Sequence, residues 1–301
     1  MRIATRALKI ELVYRNSWRT RDEAENATFS YIDGWYNTPR IQKDRPQSPD
    51  DPVEHRTLVT CISLFADLDT ARVLFATEGR DAATVQRFAA DLAAHGGDPQ
   101  KVHTTSSDMS AAFIAGICEH LPHARLTFDR YHLAAKLSEA VDAVRRTEIA
   151  TRPELKHTRW LWLKNWSNLS VTQRRELQQL MRPSARLATA RALRWREDFQ
   201  AFYNQDPSYA AEYLHGWCAG AKRSRLQPIK DFVDLVRRHW DGIIAWHASR
   251  ASNGLLEGTN SLIQGAKARA RGYRNKNKMI SIAYLIAGKL PLPTVTNPAA
   301  T

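Results

Sequence analysis

The 301-residue sequence is poor in cysteine, with Cys61, Cys118 and Cys218 far apart and never in a C-x-x-C pair. Three separated thiols make neither a disulfide framework nor a zinc-ligand set, and a reducing cytoplasm suits them. Long apolar runs are lacking too. No stretch approaches the roughly 18 residues of a membrane span, and the start MRIATRALKIELVYR has no signal-peptide core or cleavage site. Membrane and export readings are therefore set aside. Acidic residues are the third shortage: Asp and Glu total 31 against 44 Lys and Arg, a formal net charge of +13. Such a surplus favours a polyanionic partner through phosphate neutralisation and counterion release, and Arg, the residue with the fork suited to phosphate, outnumbers Lys.

What is present is an ordered succession of textures. Residues 20–36 read as a helix, with Thr20 as its cap, Glu23 in the reciprocal capping position and Ala24, Ala27, Phe29, Tyr31, Ile32 and Trp35 as apolar surface. Between Thr38 and Val53, Pro39, Pro46, Pro49 and Pro52 stand among charges, which marks a junction rather than an element. From Arg56 the runs TLVTCISLF and ARVLFATEG flank Asp67-Leu68-Asp69-Thr70 as two strands of a hairpin. A helix is expected over 81–95, a short strand ending at Asp108, a helix to about His120 and a strand ending at Asp129. The order β-β-α-β-α-β, with acids at strand ends, predicts a mixed α/β sheet. Beyond Tyr131 helical patterns run to about His247, and there Trp160, Trp162 and Trp166 suit core packing better than base stacking. The expected division is a helical appendage and junction over 1–54, a first core part over 55–140, a helical insertion over 141–246, a helical return over 247–290 and a disordered tail over 291–301.

Phosphoryl transfer by two divalent ions requires carboxylates converging from different elements, because hard Mg²⁺ takes oxygen ligands. Asp108, after a β-run and before a helix, would emerge at a strand's carboxyl end, although capping that helix is an equal reading. Glu257 shares one side of a helix with Asn260, Ser261 and Gln264, opposite Leu255, Leu256 and Ile263. A solvated stripe is the ordinary explanation of that pattern. The trailing run Lys267, Arg269, Arg271, Arg274, Lys276 and Lys278 would instead hold a DNA backbone beside the carboxylate. Asp129 and His132 stand one turn apart at a strand-to-helix junction and could reach each other.

Taken in order, ADLDTARVLFATEGRDAATVQRFAADLAAHGGDPQKV, DMSAAFIAGICEHLPHARLTFDRYHL, AVDAVRRTE, RWLWLKN and SNGLLEGTNSLIQGAKARARGYRN resemble the DDE transposases of ISL-three-type insertion sequences. The resemblance runs from about residue 55 to 290. It implies a ribonuclease-H-like mixed sheet interrupted by helices, acting on double-stranded DNA in the bacterial cytoplasm with two Mg²⁺ (or Mn²⁺) ions. Asp108 matches the family's second catalytic Asp and Glu257 its Glu, the two expected metal ligands; Asp129, His132 and Asn260 would support the site. A homo-oligomer or an intact transposase is the expected protein partner.

The family's first Asp lies on the first strand, and its G-[IV]-D-E-like context is missing here. Asp50 and Asp51 sit between prolines that bar a central strand, while Asp67 and Asp69 belong to the hairpin turn. The family's cysteine-rich and helix-turn-helix regions would precede the core. In their place, LKIELVYRNSWRTRDEAENATFSYIDGWYNTPR resembles the carboxyl end of an IS-three-type transposase. The expectation is a truncated, catalytically impaired chimera, with a non-catalytic basic DNA-binding protein or regulator of an intact transposase as the alternative.

Overall fold

The computed structural model of the chain describes residues 1–10, 60–182, 184, 186–269 and 276–290. The expected helix over 20–36, the proline-rich junction, the tail and the basic residues Arg271 and Arg274 lie outside the described residues. Contacts divide the chain into Met1–Leu8 with Cys61–Thr301, and Lys9–Thr60.

Five strands form one mixed sheet: β1 (Arg2–Ile10), β2 (Thr60–Asp67), β3 (Arg72–Glu78), β4 (Thr104–Ser107) and β5 (Arg125–Phe128), in the order β3-β2-β1-β4-β5. The β2–β3 hairpin is antiparallel, with Ile62 opposite Glu78 and a register irregularity between Phe65 and Ala66. β1 pairs with β4 in parallel, Ile3 beside Thr105, and β4 pairs with β5 in parallel, Ser107 beside Phe128. The expectation of an amino-terminal helical appendage outside the sheet is thus corrected for its first ten residues. They fill the central position of the sheet, and Ile3, fully buried, packs with Phe65, Val85, Phe88, Val102 and Phe113.

Helices α1 (Ala82–Ala94) and α2 (Ala111–His120) contribute to that same core through Val85, Phe88, Phe113 and Ile117. Asp81 starts α1 by accepting the Thr84 N–H at 3.0 Å, and Phe88 stacks on Phe65 with centroids 4.5 Å apart. Capping and i, i+3 apolar spacing explain this helix fully.

The helical region opens with α3 (Arg130–Glu148), followed by α4 (Arg159–Leu163), α5 (Val171–Leu180), α6 (Ala188–Phe202), α7 (Ala210–Lys222), α8 (Gln227–Arg238), α9 (Trp240–Ile244) and α10 (Trp246–Ser249). Leu133, Leu137 and Val141 of α3 meet Leu193, Phe199, Trp217, Phe232 and Val236 in a second core. Glu148, at the end of α3, accepts the N–H groups of Ala188 and Thr189 at 2.7 and 2.8 Å, which satisfies the orphan donors at the start of α6. Trp162 is fully buried as the sequence predicts, whereas Trp166 is 44% exposed beneath the Arg174 guanidinium.

The chain returns through α11 (Gly254–Arg269) and α12 (Lys276–Ala287). α12 packs on the edge strand β3, where the Tyr284 hydroxyl accepts the Ala76 N–H at 3.0 Å and Lys276 pairs with Glu78.

Candidate functional site

Asp108 and Asp129 directly follow β4 and β5, whose last residues, Ser107 and Phe128, are register partners. The Asp129 N–H donates to the Ser107 carbonyl at 3.4 Å, so the two acids leave adjoining parallel strands at the same edge. Arg80 reaches that edge from the end of β3 and pairs with Asp108, Nη2 to Oδ2 at 3.0 Å. The other Asp108 oxygen accepts the Ser110 N–H at 3.0 Å, in the turn before α2, whose N-cap residue is Ser110 rather than Asp108.

Asp129 is completely buried and caps α3 by accepting the Tyr131 N–H at 3.3 Å. The His132 N–H donates to the Asp129 carbonyl at 3.2 Å. Burial, and then the charge of Asp129, push the Tyr203 phenol well above its ordinary pKa. Tyr203 in turn stands edge-on to Trp246, and its carbonyl accepts from Arg250 at 3.2 Å.

On the other side of β4, the register with β1 sets Ala4 beside Ser106, and one further step sets Thr5 beside Ser107. Both hydroxyls are buried, with no hydrogen-bond partner among the described residues. Arg2–Ile10 contains no acid. Asp67 and Asp69 do not supply one, because the Leu68 N–H donates to the Arg2 carbonyl at 2.8 Å and the hairpin turn therefore lies at the opposite, amino-terminal edge of β1. There Asp67 holds its own turn through the Asp69 N–H and the Thr70 hydroxyl, and the Arg2 side chain holds the Asp69 carboxyl below its usual range.

Glu257 is half-buried in the first turn of α11, and its N–H donates to the Asn253 carbonyl at 2.9 Å. Asn260 accepts from Gln264 at 3.4 Å on the same side of the helix. Leu256, Thr259 and Ile263 form the buried face, so the Glu257–Asn260–Gln264 stripe is half-buried rather than solvated. Among the described residues no three His, Cys, Asp or Glu side chains form a metal-binding group. Of the basic run, Arg269 and Lys278 are exposed, Lys267 is half-buried and Lys276 is engaged by Glu78.

Sequence reasoning missed Arg80, Thr5, Tyr203 and Arg250 at or behind this edge. Their spacing gives no sign of it, since each arrives from an element distant in sequence. His247, buried beside Phe202, is likewise legible only in three dimensions. Burial, then Arg250, lower its pKa below the usual 6.5, against a smaller opposing effect of the Phe202 backbone. The folded chain thus prefers the neutral ring, and the unfolded chain takes up the proton first as pH falls. Stability should decrease from about pH 7.5 to 5.5. Urea midpoints across that range test this; in His247→Phe the decrease should be smaller, with His239, also lowered by burial, supplying the remainder.

A family profile of the ISL-three DDE type, described as a transposase, matches residues 51–283, and one described as an integrase core domain matches residues 6–58. The transposase for insertion sequence element IS1001 of Bordetella parapertussis is 29% identical over 213 residues, covering 68% of this chain and 52% of that protein. The transposase for IS1557 of Mycobacterium tuberculosis is 25% identical over 270 residues, covering 80% of this chain and 60% of that protein. The chain therefore spans between half and two thirds of these relatives' length. No solved structure matches it.

Proposed function

The chain belongs to the ISL-three DDE transposase family, and from that premise we propose that it is a transposase derivative that binds duplex DNA but is impaired in cutting and joining it. The observation carrying this reading is the sheet edge: Asp108 and Asp129 emerge from β4 and β5, while the adjoining β1 brings no acid. The strand order, an antiparallel hairpin beside three parallel strands, supports a ribonuclease-H-like core, as does the integrase-core match at residues 6–58.

DDE chemistry uses divalent ions, Mg²⁺ or Mn²⁺, which supply charge stabilisation at the transferred phosphate. The donors fit a two-ion site poorly. Asp108 is already held by Arg80 and the Ser110 N–H, Asp129 is wholly buried beside Tyr203, and no trio of donors forms among the described residues. In a set that acts as a unit, loss of one member costs roughly 10³-fold or more.

Binding rests on the +13 charge and the run from Lys267 to Lys278. Purified chain should bind duplex DNA with a Kd of about 1–100 μM, weaken steeply between about 50 and 200 mM salt, and show little sequence preference. Replacing Arg269, Arg271 and Arg274 by Ala should weaken binding and flatten the salt slope, while Glu257→Gln should leave both nearly unchanged. Incubation with Mg²⁺ or Mn²⁺ should give neither nicking nor strand transfer. Metal-dependent strand transfer that disappears in Glu257→Gln would overturn the impaired reading. Regulation of an intact transposase is a second reading favoured by the same edge, a complete sheet with an incomplete acid set. It is tested by adding the chain to an active enzyme and measuring whether transposition falls.

A further inference from the structure

Several cations of the helical region have a carboxylate within reach. Arg145, Arg146 and Arg159 gather around Asp142, Arg152 pairs with Glu154 and Lys222 with Asp234. Four arginines without such a partner share one place. Arg191 and Arg194 lie one turn apart on α6, Arg223 caps the end of α7 and Arg225 stands in the turn before α8. They line an open cleft of about 450 Å³. All four are exposed, and among the described residues none is ion-paired. Asp198 also belongs to the lining, and the Arg194 charge acts on the neighbouring Glu197.

The cleft is built on a fixed floor. Trp195 packs so closely on Gly220 that a Cβ there would fall 2.9 Å from the indole, and Trp217 donates from Nε1 to the Trp195 carbonyl at 3.1 Å. Its walls are also tied. Arg191 donates to the Ser224 carbonyl at 3.5 Å, Arg223 to the Ala219 carbonyl at 3.2 Å, and the Ser224 hydroxyl accepts the Leu226 N–H at 3.3 Å. Arg225 has φ of 60°, a left-handed conformation that holds its backbone at the tip of the turn. Arg194 and Arg225 make no hydrogen bond or ion pair among the described residues, and both are exposed.

Four like charges converging on a rigid, open cleft repel one another unless an anion of matching reach is present. We propose that this cleft is a second contact for the phosphodiester backbone of duplex DNA, separate in sequence from the run Lys267–Lys278. The guanidinium fork matches phosphate oxygens in pairs, and arginines on two walls suit consecutive phosphates better than one compact anion. Openness admits a polymer that enters and leaves the cleft. The inference rests on the reading of the chain as a DNA-binding protein, and it assigns the helical insertion a share of that binding.

The test compares intact chain, Arg194→Gln/Arg225→Gln, and the charge-matched control Arg237→Gln/Arg238→Gln, by fluorescence titration of a labelled duplex over a salt series. Neither cleft residue is hydrogen-bonded, so the thermal midpoint of the cleft variant should match that of the intact chain. The cleft variant should bind about tenfold more weakly at low salt, with a salt slope reduced by about two, and each single change should take about half the effect. Should the intact chain fail to bind DNA, the proposed function falls. Should it bind, with cleft variant and control indistinguishable, only the cleft assignment is overturned. Inorganic phosphate titrated at constant ionic strength forms the second arm. Saturable phosphate binding lost in the cleft variant, with DNA affinity unchanged, would make the cleft a small-anion site and likewise overturn the assignment.

Discussion

Deleting residues 1–10 is expected to abolish cooperative unfolding of the sheet. β1 is its middle strand, paired with β4 and lying next to β2, so its removal leaves two interior strands with unpaired backbone groups. It also withdraws Ile3 from contact with Phe65, Val85 and Phe88. The combined loss exceeds the roughly 5–15 kcal/mol by which a typical fold is stable. Ile3→Ala measures the apolar part alone and should cost about 2–5 kcal/mol. Urea unfolding followed by circular dichroism distinguishes the outcomes. A truncated chain that unfolds at the midpoint of the full one would show that the strand adds nothing to the sheet.

Arg196→Leu should cost about 2–4 kcal/mol. Arg196 is 3% exposed and donates to the carbonyls of Trp162, Leu163 and Lys164 at 2.8, 3.0 and 3.4 Å. Those carbonyls lie at the carboxyl end of α4, a five-residue helix whose last acceptors have no partner within the helix. Burial lowers the Arg196 pKa, so relief of that desolvation offsets part of the loss. Arg196→Lys should recover little, because an ammonium lacks the planar fork that spans three successive carbonyls. A change below about 1 kcal/mol in denaturant unfolding would mean that the desolvation cost cancels the bonds.

The elements from β2 to β5 were legible because their signals are local. Two short β-rich runs around Asp67–Thr70 mark the hairpin, Asp81 caps α1, and Asp108 and Asp129 close short β-runs shortly before helices. β1 was not legible. RIATRALKI has neither strict alternation nor turn signals, the resemblance to another transposase's tail takes in only its last residues from Leu8, and its partner β4 begins about a hundred residues later. The site divides the same way. That acids stand at strand ends follows from spacing; that Asp108 meets Arg80, and Asp129 lies sealed beside Tyr203, depends on how distant segments cross the sheet. The arginine cleft shows this limit most clearly. Its residues come from α6 and from the turn after α7, and no window of sequence contains all four together with the room they enclose.

The contact between Tyr284 and the Ala76 N–H also bears on how the chain stays soluble while it is being made. An edge strand with free N–H groups is a template on which another chain's strand can add. Here the cover for β3 is α12, whose Tyr284 comes 208 residues after Ala76, so a nascent chain that has completed its hairpin carries the open edge until α12 has followed. Lys289 adds a contact to the Thr70 carbonyl in the turn before β3. Solubility during synthesis thus depends on α12, and chains that stop short of it should add to one another along β3.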